Sequence, residues 1–389
     1  MITKIFGGNV ITDRRIHKGL NVYISDDRIL AVTDRQLPCD REIDATGLYV
    51  SPGFIDTHVH GGGGSDFMDG GVAPIVKAAD FHLRHGTTCI LPTTLACSQE
   101  TLLNFLEDLR QVIDGKLSDS FIPGAHLEGP YFSHRQSGAQ KPEYIRQPDK
   151  AEYGEILSRY GDLILKWSFA PELEGSCDFC RELVSRGIVP SVGHSDATFE
   201  QISQVYALGC KHFTHLYSGM STIVRKDGYR VLGAVESAFY FEDACVEVIA
   251  DGKHLPPVLL ELIVRQKGPE HVCLITDGMR GAGMPEGPSF LGRHGEEMPC
   301  VIEDGVAKLP DRTAFAGSVA TADRLVRTMV KEARVDLCAA VGMMTRTPAR
   351  ILGLADRGTL QDGFFADIVL FDEDIRIQKV IAGGKVIGE

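Results

Sequence analysis

The hydrophobic pattern of the chain changes character twice. Residues 1 to 50 form short alternating or apolar runs broken by turn residues, with no helical period, and residues 363 to 387 have the same character. Between them, short apolar or β-branched runs alternate with helical patterns, which is typical of βα units around a covered parallel sheet. The pattern therefore predicts one small β domain assembled from both chain ends, with a larger α/β region inserted between them.

Eight apolar runs in the middle region indicate strands. Amphipathic helices alternate with them, such as one opened by Ser98 as its N-cap and one closed by Gly209. Eight βα repeats favour a closed (β/α)8 TIM-like barrel over residues 52–354, with residues 1–51 and 355–389 forming a small β-sandwich domain; an open doubly wound sheet is the structural alternative. The eight runs are residues 53–60, 87–93, 124–130, 163–172, 188–195, 211–218, 245–254 and 271–278.

Composition narrows the class of protein. Of the 389 residues, 43% are apolar and 24% charged, which fits a folded globular chain, and a net charge of −13 gives no attraction for nucleic acid or anionic membranes. No apolar run approaches a membrane span and the start lacks a secretion signal, so we expect a cytoplasmic protein. Ten scattered cysteines fit a reducing compartment, and the Cys177/Cys180 pair is expected on a helix face rather than at a metal.

Candidate chemistry is concentrated where the predicted strands end. In a parallel barrel these ends and the loops after them converge on one face, where such barrels carry their active sites. A single histidine there is usually a core residue, but a set at matching topological positions favours function. The strand endings supply His58 and His60, Glu128, His194, His215, His254 and Asp277.

Imidazole nitrogens and carboxylate oxygens suit a divalent metal ion. Such donors fit Zn²⁺, with Fe²⁺ or Mn²⁺ as alternatives, and an open position would let the ion lower the pKa of a water from 15.7 towards roughly 7. Asp277, at the end of the eighth strand, is expected to accept the proton of the attacking water and pass it to the departing amine. The alternative for Asp277 is a structural role in its Thr-Asp-Gly turn.

The ordered motifs PGFIDTHVHG, HLEGPY, GHSDAT, THLYSGM, IADGKH, LITDG and FAGS resemble the amidohydrolase superfamily. Within it, the chain is most similar to the N-acetylglucosamine-6-phosphate deacetylases, over its whole length. The resemblance implies a barrel with a small β-sandwich, Asp277 as general base and acid, and His254 at the substrate. It also implies one or two metal ions, the first at Glu128, His194 and His215 and the second at His58 and His60. A carboxylated lysine is not expected, since Lys166 lies well before the end of the fourth strand.

The chain departs from the family pattern at two places. Gln140 stands where the family often has histidine; it can donate a hydrogen bond to a carbonyl but cannot become cationic. Ser218-Gly219 replaces the commoner Asn-Ala, which weakens the expectation of the usual sugar phosphate. Available cations for a phosphate are Arg225, Lys226, Arg230, Lys253 and Arg280. We therefore expect substrate contacts from His254, Gln140, Ser218, Gly219, Arg225 and Arg230.

The resulting hypothesis is a metal-dependent hydrolase that removes acetate from N-acetylglucosamine 6-phosphate and leaves glucosamine 6-phosphate. The alternative enzyme acts on another N-acyl or cyclic amide, such as a different N-acetylhexosamine phosphate or an N-acyl amino acid. A non-catalytic scaffold of the same fold is disfavoured, because such proteins lose the metal-ligand types that this chain keeps. The expected partner is a small-molecule amino-sugar phosphate, and the resemblance implies a homodimer.

Overall fold

Both ends of the chain pair in the same sheet of the computed structural model, which describes residues 1–388. Its strand Tyr49–Pro52 is antiparallel to Ile368–Phe371, as the shared character of the two ends predicts. That sheet has the order Lys385–Val386, Ile377–Ala382, Ile368–Phe371, Tyr49–Pro52, Asn9–Ile11 and Ile16–Lys18. The second terminal sheet has the order Arg28–Thr33, Asn21–Ser25, Ile2–Phe6 and Arg41–Asp44. Apolar side chains of the two sheets, including Val22, Ile43, Val50, Ile368 and Ile381, form one buried cluster.

Each of the eight predicted runs contains a strand. The third to eighth pair in sequence order, all parallel, in a six-stranded sheet, and the first two pair with each other. Single bridges join the two sheets on both sides, at Thr93–His126 and at Val59–Gly278. The first to eighth parallel strands are Phe54–Val59, Thr87–Pro92, Ala125–Glu128, Ile164–Phe169, Val189–Val192, His212–Phe213, Cys245–Ile249 and Val272–Ile275.

Amphipathic helices separate these strands and bury their apolar faces. Ser98 caps the second helix by accepting a hydrogen bond from the Thr101 backbone, and Gly209 follows the end of the fifth helix with φ 111°, both as predicted. The helices are Val72–Arg84, Gln99–Gly115, Lys150–Tyr160, Ser176–Ser185, Phe199–Ala207, Ala234–Tyr240, Pro257–Lys267, Ala322–Lys331, Leu337–Met343 and Arg346–Ile351. Single 3₁₀ turns span His134–Gln136, Pro142–Tyr144 and Pro269–His271. Within residues 1–388 no helix is both long and apolar enough to cross a membrane.

The longer connections carry structure of their own. Residues 219–243 contain the hairpin Val224–Lys226 with Tyr229–Val231, and residues 279–316 contain the antiparallel sheet Gly287–Leu291, Met298–Glu303 and Val306–Lys308. A short ribbon, Gly61–Gly62 with Ser65–Asp66, follows the first parallel strand. All ten cysteines are free, and Cys177 and Cys180 lie on the helix Ser176–Ser185, as expected.

An aromatic and cationic stack joins the chain ends to the middle region. The guanidinium of Arg357 lies between two rings, 3.8 Å from the centroid of Phe121 and 3.9 Å from that of Phe365. Arg28 covers the other face of Phe365 at 3.7 Å, and Asp367 forms a buried ion pair with Arg357. Stacking on aromatic faces favours arginine over lysine here.

Candidate active site

Glu128 lies at the centre of a cluster of histidines. It ends the third parallel strand, and its side chain is buried. Its Oε1 is 2.9 Å from His215 Nε2, 3.2 Å from His194 Nε2 and 3.4 Å from His58 Nε2, while Oε2 is 3.5 Å from His60 Nε2. The structure therefore brings together, around the Glu128 carboxylate, four histidines from the ends of three other strands.

Three residues at this face have an unusual backbone conformation. The φ angles of His194, His215 and Asp277 are 45°, 25° and 47°, in the left-handed region that non-glycine residues seldom adopt. Such conformations cost on the order of 1–3 kcal/mol each and persist where the surrounding structure holds them for a function. The strain coincides with the fifth, sixth and eighth strand endings, where the chain turns away from the sheet.

The histidine rings are oriented by their second nitrogen. His194 Nδ1 donates to the Gln136 carbonyl at 2.8 Å, and His215 Nδ1 donates to the Ser218 carbonyl at 3.1 Å. A carbonyl can only accept, so these nitrogens carry a hydrogen, and each Nε2 is the nitrogen that faces Glu128 and is available to a cation. Several imidazole Nε2 atoms that converge on one carboxylate are arranged as the ligands of a cation are.

Electrostatics at the cluster also favours positive charge. Burial opposes a charged His58, but the charges of Glu128 and Glu247 and the hydrogen bond to Glu247 raise the pKa of His58 to about 10 when no cation is bound. The same histidines hold the pKa of Glu128 well below its usual range despite its burial. Two triads, His58/His60/Asp277 and His58/Glu128/His215, have all their ligand atoms within 4.8 Å of one another. These donors fit a divalent metal ion.

Asp277 faces the same cluster from the eighth strand. Its Oδ1 is 3.1 Å from His60 Nε2 and 3.6 Å from His58 Nε2. Burial would raise the pKa of this carboxyl, but the hydrogen bond from His60 and the charges of both histidines bring it below its ordinary value. Asp277 is therefore an ionised carboxylate at the edge of a cavity.

The cavity above the cluster has a volume of about 220 Å³. His254 lies on its wall, with Nδ1 2.8 Å from Asp251 Oδ2. Gln140 is fixed at both ends of its amide: Oε1 accepts from the Ala96 backbone at 2.7 Å, and Nε2 donates to Glu128 Oε2 at 2.6 Å. The remaining walls come from Leu95, Gly138, Ala139, Ser218, Gly219, Leu291, Ala314, Phe315 and Gly317.

The candidate cations lie elsewhere. Arg225 and Arg230 face each other across the exposed hairpin, and neither lines the cavity. Arg280 is buried and donates to Asp69 Oδ1 and the Gly292 carbonyl, both at 2.7 Å. Within residues 1–388, no lysine or arginine lines the cavity wall.

Three charged groups near the site were not predicted as part of it. Glu247 and Lys166 form an ion pair with no exposed side-chain surface, directly behind His58, and Asp251 holds His254. The sequence does mark two of these residues as unusual, because Glu247 interrupts the apolar run CVEVI and Lys166 interrupts the apolar run ILKWSF. A charged residue in a buried strand needs a partner, although the sequence does not say which one.

The class of this protein follows from the comparison with protein families. The model of the Amidohydrolase family matches residues 49–387, and the chain belongs to this family. Members of the family generally depend on divalent metals, in agreement with the donor clusters found here.

Individual relatives define the resemblance more closely. The chain is 32% identical to the N-acetylglucosamine-6-phosphate deacetylase of Lysinibacillus sphaericus over 345 residues, 89% of this chain and 87% of the relative. It is also 32% identical to the N-acetylgalactosamine-6-phosphate deacetylase of Escherichia coli O157:H7 over 336 residues, 86% of each chain. A solved Mycobacterium smegmatis N-acetyl-D-glucosamine-6-phosphate deacetylase mutant, in complex with N-acetyl-D-glucosamine-6-phosphate, superposes with a TM-score of 0.89. It is 32% identical and the match covers 99% of this chain and 98% of that one. The resemblance predicted from the motifs is confirmed.

Proposed function

We propose that this protein hydrolyses the acetamide of N-acetylglucosamine 6-phosphate, giving acetate and glucosamine 6-phosphate. The observation that carries the proposal is the convergence of Glu128, four imidazoles and Asp277 at the floor of one cavity. Relatives that are named as deacetylases and match most of the chain support the proposal. The substrate class is an amino-sugar phosphate.

The donor set is suited to one or two metal ions. Glu128, His194 and His215 would hold the first, and His58 and His60 are available to a second. Within the described part of the chain, His58 Nε2 is buried with no hydrogen-bond partner, which fits a ligand atom. We expect Zn²⁺, with Fe²⁺ or Mn²⁺ as alternatives. When bound, the ion would polarise the acyl carbonyl and lower the pKa of a water molecule.

The chain itself moves the proton. Asp277, ionised and held by His60, would accept the proton of the attacking water at a carboxylate oxygen and return it to the nitrogen of the leaving amine. General base and acid catalysis of this kind contributes roughly 10²- to 10⁴-fold. An amine leaves more readily once protonated, so the same carboxylate serves both halves of the reaction.

Other side chains would orient the substrate. Asp251 accepts from His254 Nδ1–H, which leaves Nε2 to accept a hydrogen bond from a sugar hydroxyl. The second hydrogen on Gln140 Nε2 is not used by Glu128 and can be donated to the acyl carbonyl. Ser218 and Gly219 line the cavity, whereas Arg225 and Arg230 would serve the phosphate from the exposed hairpin, within the expected homodimer.

The architecture that supports this site is proposed as a closed (β/α)8 barrel. Bridges from Thr93 to His126 and from Val59 to Gly278 support closure on both sides. We assign residues 52–354 to the barrel, and residues 1–51 with 355–389 to the small β-sandwich domain. Location in the cytoplasm stays a prediction.

The experiment combines substrate and metal analysis on one sample. N-acetylglucosamine 6-phosphate, its galactosamine isomer, unphosphorylated N-acetylglucosamine and an N-acetyl amino acid are assayed with the bound metal quantified. We expect metal in the protein and preference for the phosphorylated hexosamines. Asp277→Asn, which keeps the side-chain size, should lower kcat by about 10²- to 10⁴-fold. A metal-free protein, unchanged turnover in Asp277→Asn, or hydrolysis of the N-acetyl amino acid alone would overturn the proposal.

A further inference from the structure

A buried ion pair lies behind the metal-ligand cluster and takes no part in the proposed chemistry. Lys166 from the fourth strand and Glu247 from the seventh have no exposed side-chain surface. Removing two charges from water costs several kcal/mol per ion, and an apolar pair of similar volume is often as stable or more so. Stability alone is therefore a weak explanation for charges at these two positions.

The contacts of Glu247 point towards His58. Glu247 Oε2 is 3.1 Å from His58 Nδ1, and Oε1 accepts from Lys166 Nζ and, at 3.3 Å, from Thr57 Oγ1. A carboxylate can only accept, so His58 Nδ1 must carry a hydrogen, and Nε2 is the nitrogen whose lone pair is available to a metal ion when the ring is neutral. That Nε2 atom lies 3.4 Å from Glu128 Oε1.

His58 differs in this respect from its neighbours. His194 and His215 are oriented by backbone carbonyls, which the fold supplies wherever the chain turns at a strand end. His58 lies within its strand, where the backbone carbonyls are used in strand pairing, and its Nδ1 faces the side chain of Glu247 from the seventh strand. A side chain has to provide the acceptor, and Glu247 does so.

We propose that Glu247 and Lys166 are positioning residues that fix the tautomer and orientation of His58 and so set the affinity for the metal ion that His58 contacts. Glu247 accepts the Nδ1 hydrogen, and Lys166 determines which oxygen of Glu247 remains free to do so. The proposal rests on the proposed metal-dependent function. Partners of this kind typically change metal affinity by about 10- to 100-fold when removed.

The first variant is Glu247→Gln. Lys166 and Thr57 would still hold the amide oxygen, so the NH₂ group would face His58 Nδ1 and donate to it. The hydrogen of His58 would then move to Nε2, where it blocks metal binding. We expect Zn²⁺ affinity, measured by competition with a chromophoric chelator, to fall about 10- to 100-fold. The visible absorption of the Co²⁺-loaded protein should change with it, since the ligand set changes.

The second variant tests the role of Lys166. In the double variant Lys166→Met/Glu247→Gln, no cation fixes the amide oxygen, so the amide can turn and accept from His58 Nδ1–H. We expect this protein to recover most of the Zn²⁺ affinity that Glu247→Gln loses. Glu247→Gln also leaves the Lys166 charge buried without a counter-charge, which the double variant removes, so Tm is measured on both proteins. A purely structural role predicts that Zn²⁺ affinity follows Tm and that the Co²⁺ spectrum of the folded Glu247→Gln protein is unchanged.

The matched control is Asp367→Asn, which disrupts another buried ion pair, Arg357–Asp367, outside the cavity. It should lower Tm and leave Zn²⁺ affinity unchanged. If Glu247→Gln does not fold, Lys166→Met/Glu247→Leu removes both charges and the acceptor, and should still bind Zn²⁺ at least about tenfold more weakly.

The outcomes separate the two proposals. Absence of Zn²⁺, Fe²⁺ and Mn²⁺ binding in the unaltered protein would refute the proposed function. The positioning role alone would be refuted if the unaltered protein binds Zn²⁺ and folded Glu247→Gln binds it with an affinity within twofold of the unaltered protein. Where Glu247→Gln does not fold, the same comparison is made with Lys166→Met/Glu247→Leu. A double variant Lys166→Met/Glu247→Gln that binds as weakly as Glu247→Gln would also refute the positioning role.

Discussion

His82 gives the protein a defined sensitivity to acid. It lies on the inner face of the helix Val72–Arg84, is buried, and its Nε2 is 2.9 Å from the carbonyl oxygen of Gly61, next to the ligand candidate His60. Burial lowers the pKa of His82 from 6.5 to about 4. The folded protein therefore keeps this imidazole neutral at a pH where the unfolded chain protonates it.

The magnitude follows from these two pKa values. Between pH 6.5 and pH 4 the unfolded state binds more protons, so the free energy of unfolding falls as the pH falls and is constant again below about 4. At pH 5 the loss from His82 is roughly 2 kcal/mol. Above pH 7 the contribution is negligible, because both states are then neutral.

The perturbation is His82→Gln, which cannot be protonated and can still donate to the Gly61 carbonyl. Urea unfolding of both proteins at pH 7 and pH 5 gives the change in unfolding free energy. We expect that change to be smaller in the variant by about 2 kcal/mol. His17→Gln, on the partly exposed terminal strand Ile16–Lys18, is the control and should behave as the unaltered protein. Equal pH dependence in His82→Gln and the unaltered protein would refute the reasoning.

Two further predictions concern the stack and the cavity. Arg357→Met leaves the buried Asp367 carboxylate without its cation, with only the Gly383 backbone still donating to it, and should cost about 3–5 kcal/mol in urea unfolding. Arg28→Met, at the half-exposed end, should cost about 0.5–1 kcal/mol. Equal losses would contradict the buried pair as the cause. Gln140→Leu removes the hydrogen bond to Glu128, and kcat/KM at equal metal content should fall about 10- to 100-fold, since hydrogen bonds to charged groups are worth roughly 1.5–3 kcal/mol. An unchanged kcat/KM would exclude Gln140 from the reaction.

Periodicity was enough to locate the strands and most of the candidate chemistry. The carboxyl ends of parallel strands in a barrel meet at one face. His58, Glu128, His194 and Asp277 could therefore be expected at that face from the sequence alone. The structure brings these residues together. Their roles as metal ligands and base stay predictions until metal and turnover are measured.

The residues behind the ligands could not be assigned in the same way. Glu247 and Lys166 are 81 positions apart, and their pairing depends on the register of strands that meet only in the folded sheet. Gln140 was expected to contact substrate, but its hydrogen bond to Glu128 depends on how the loop after the third strand returns to the cavity. Such contacts are tertiary, and no local pattern encodes them.

The sheet shared by the two chain ends has a consequence for synthesis on the ribosome. The strand Tyr49–Pro52 emerges early, yet one edge of it has no partner until Ile368–Phe371 has been translated. An unpaired strand edge is a template for association with other chains. The nascent polypeptide must therefore shield this edge while almost all of the remaining protein is made, and loss of the last strands would expose it permanently.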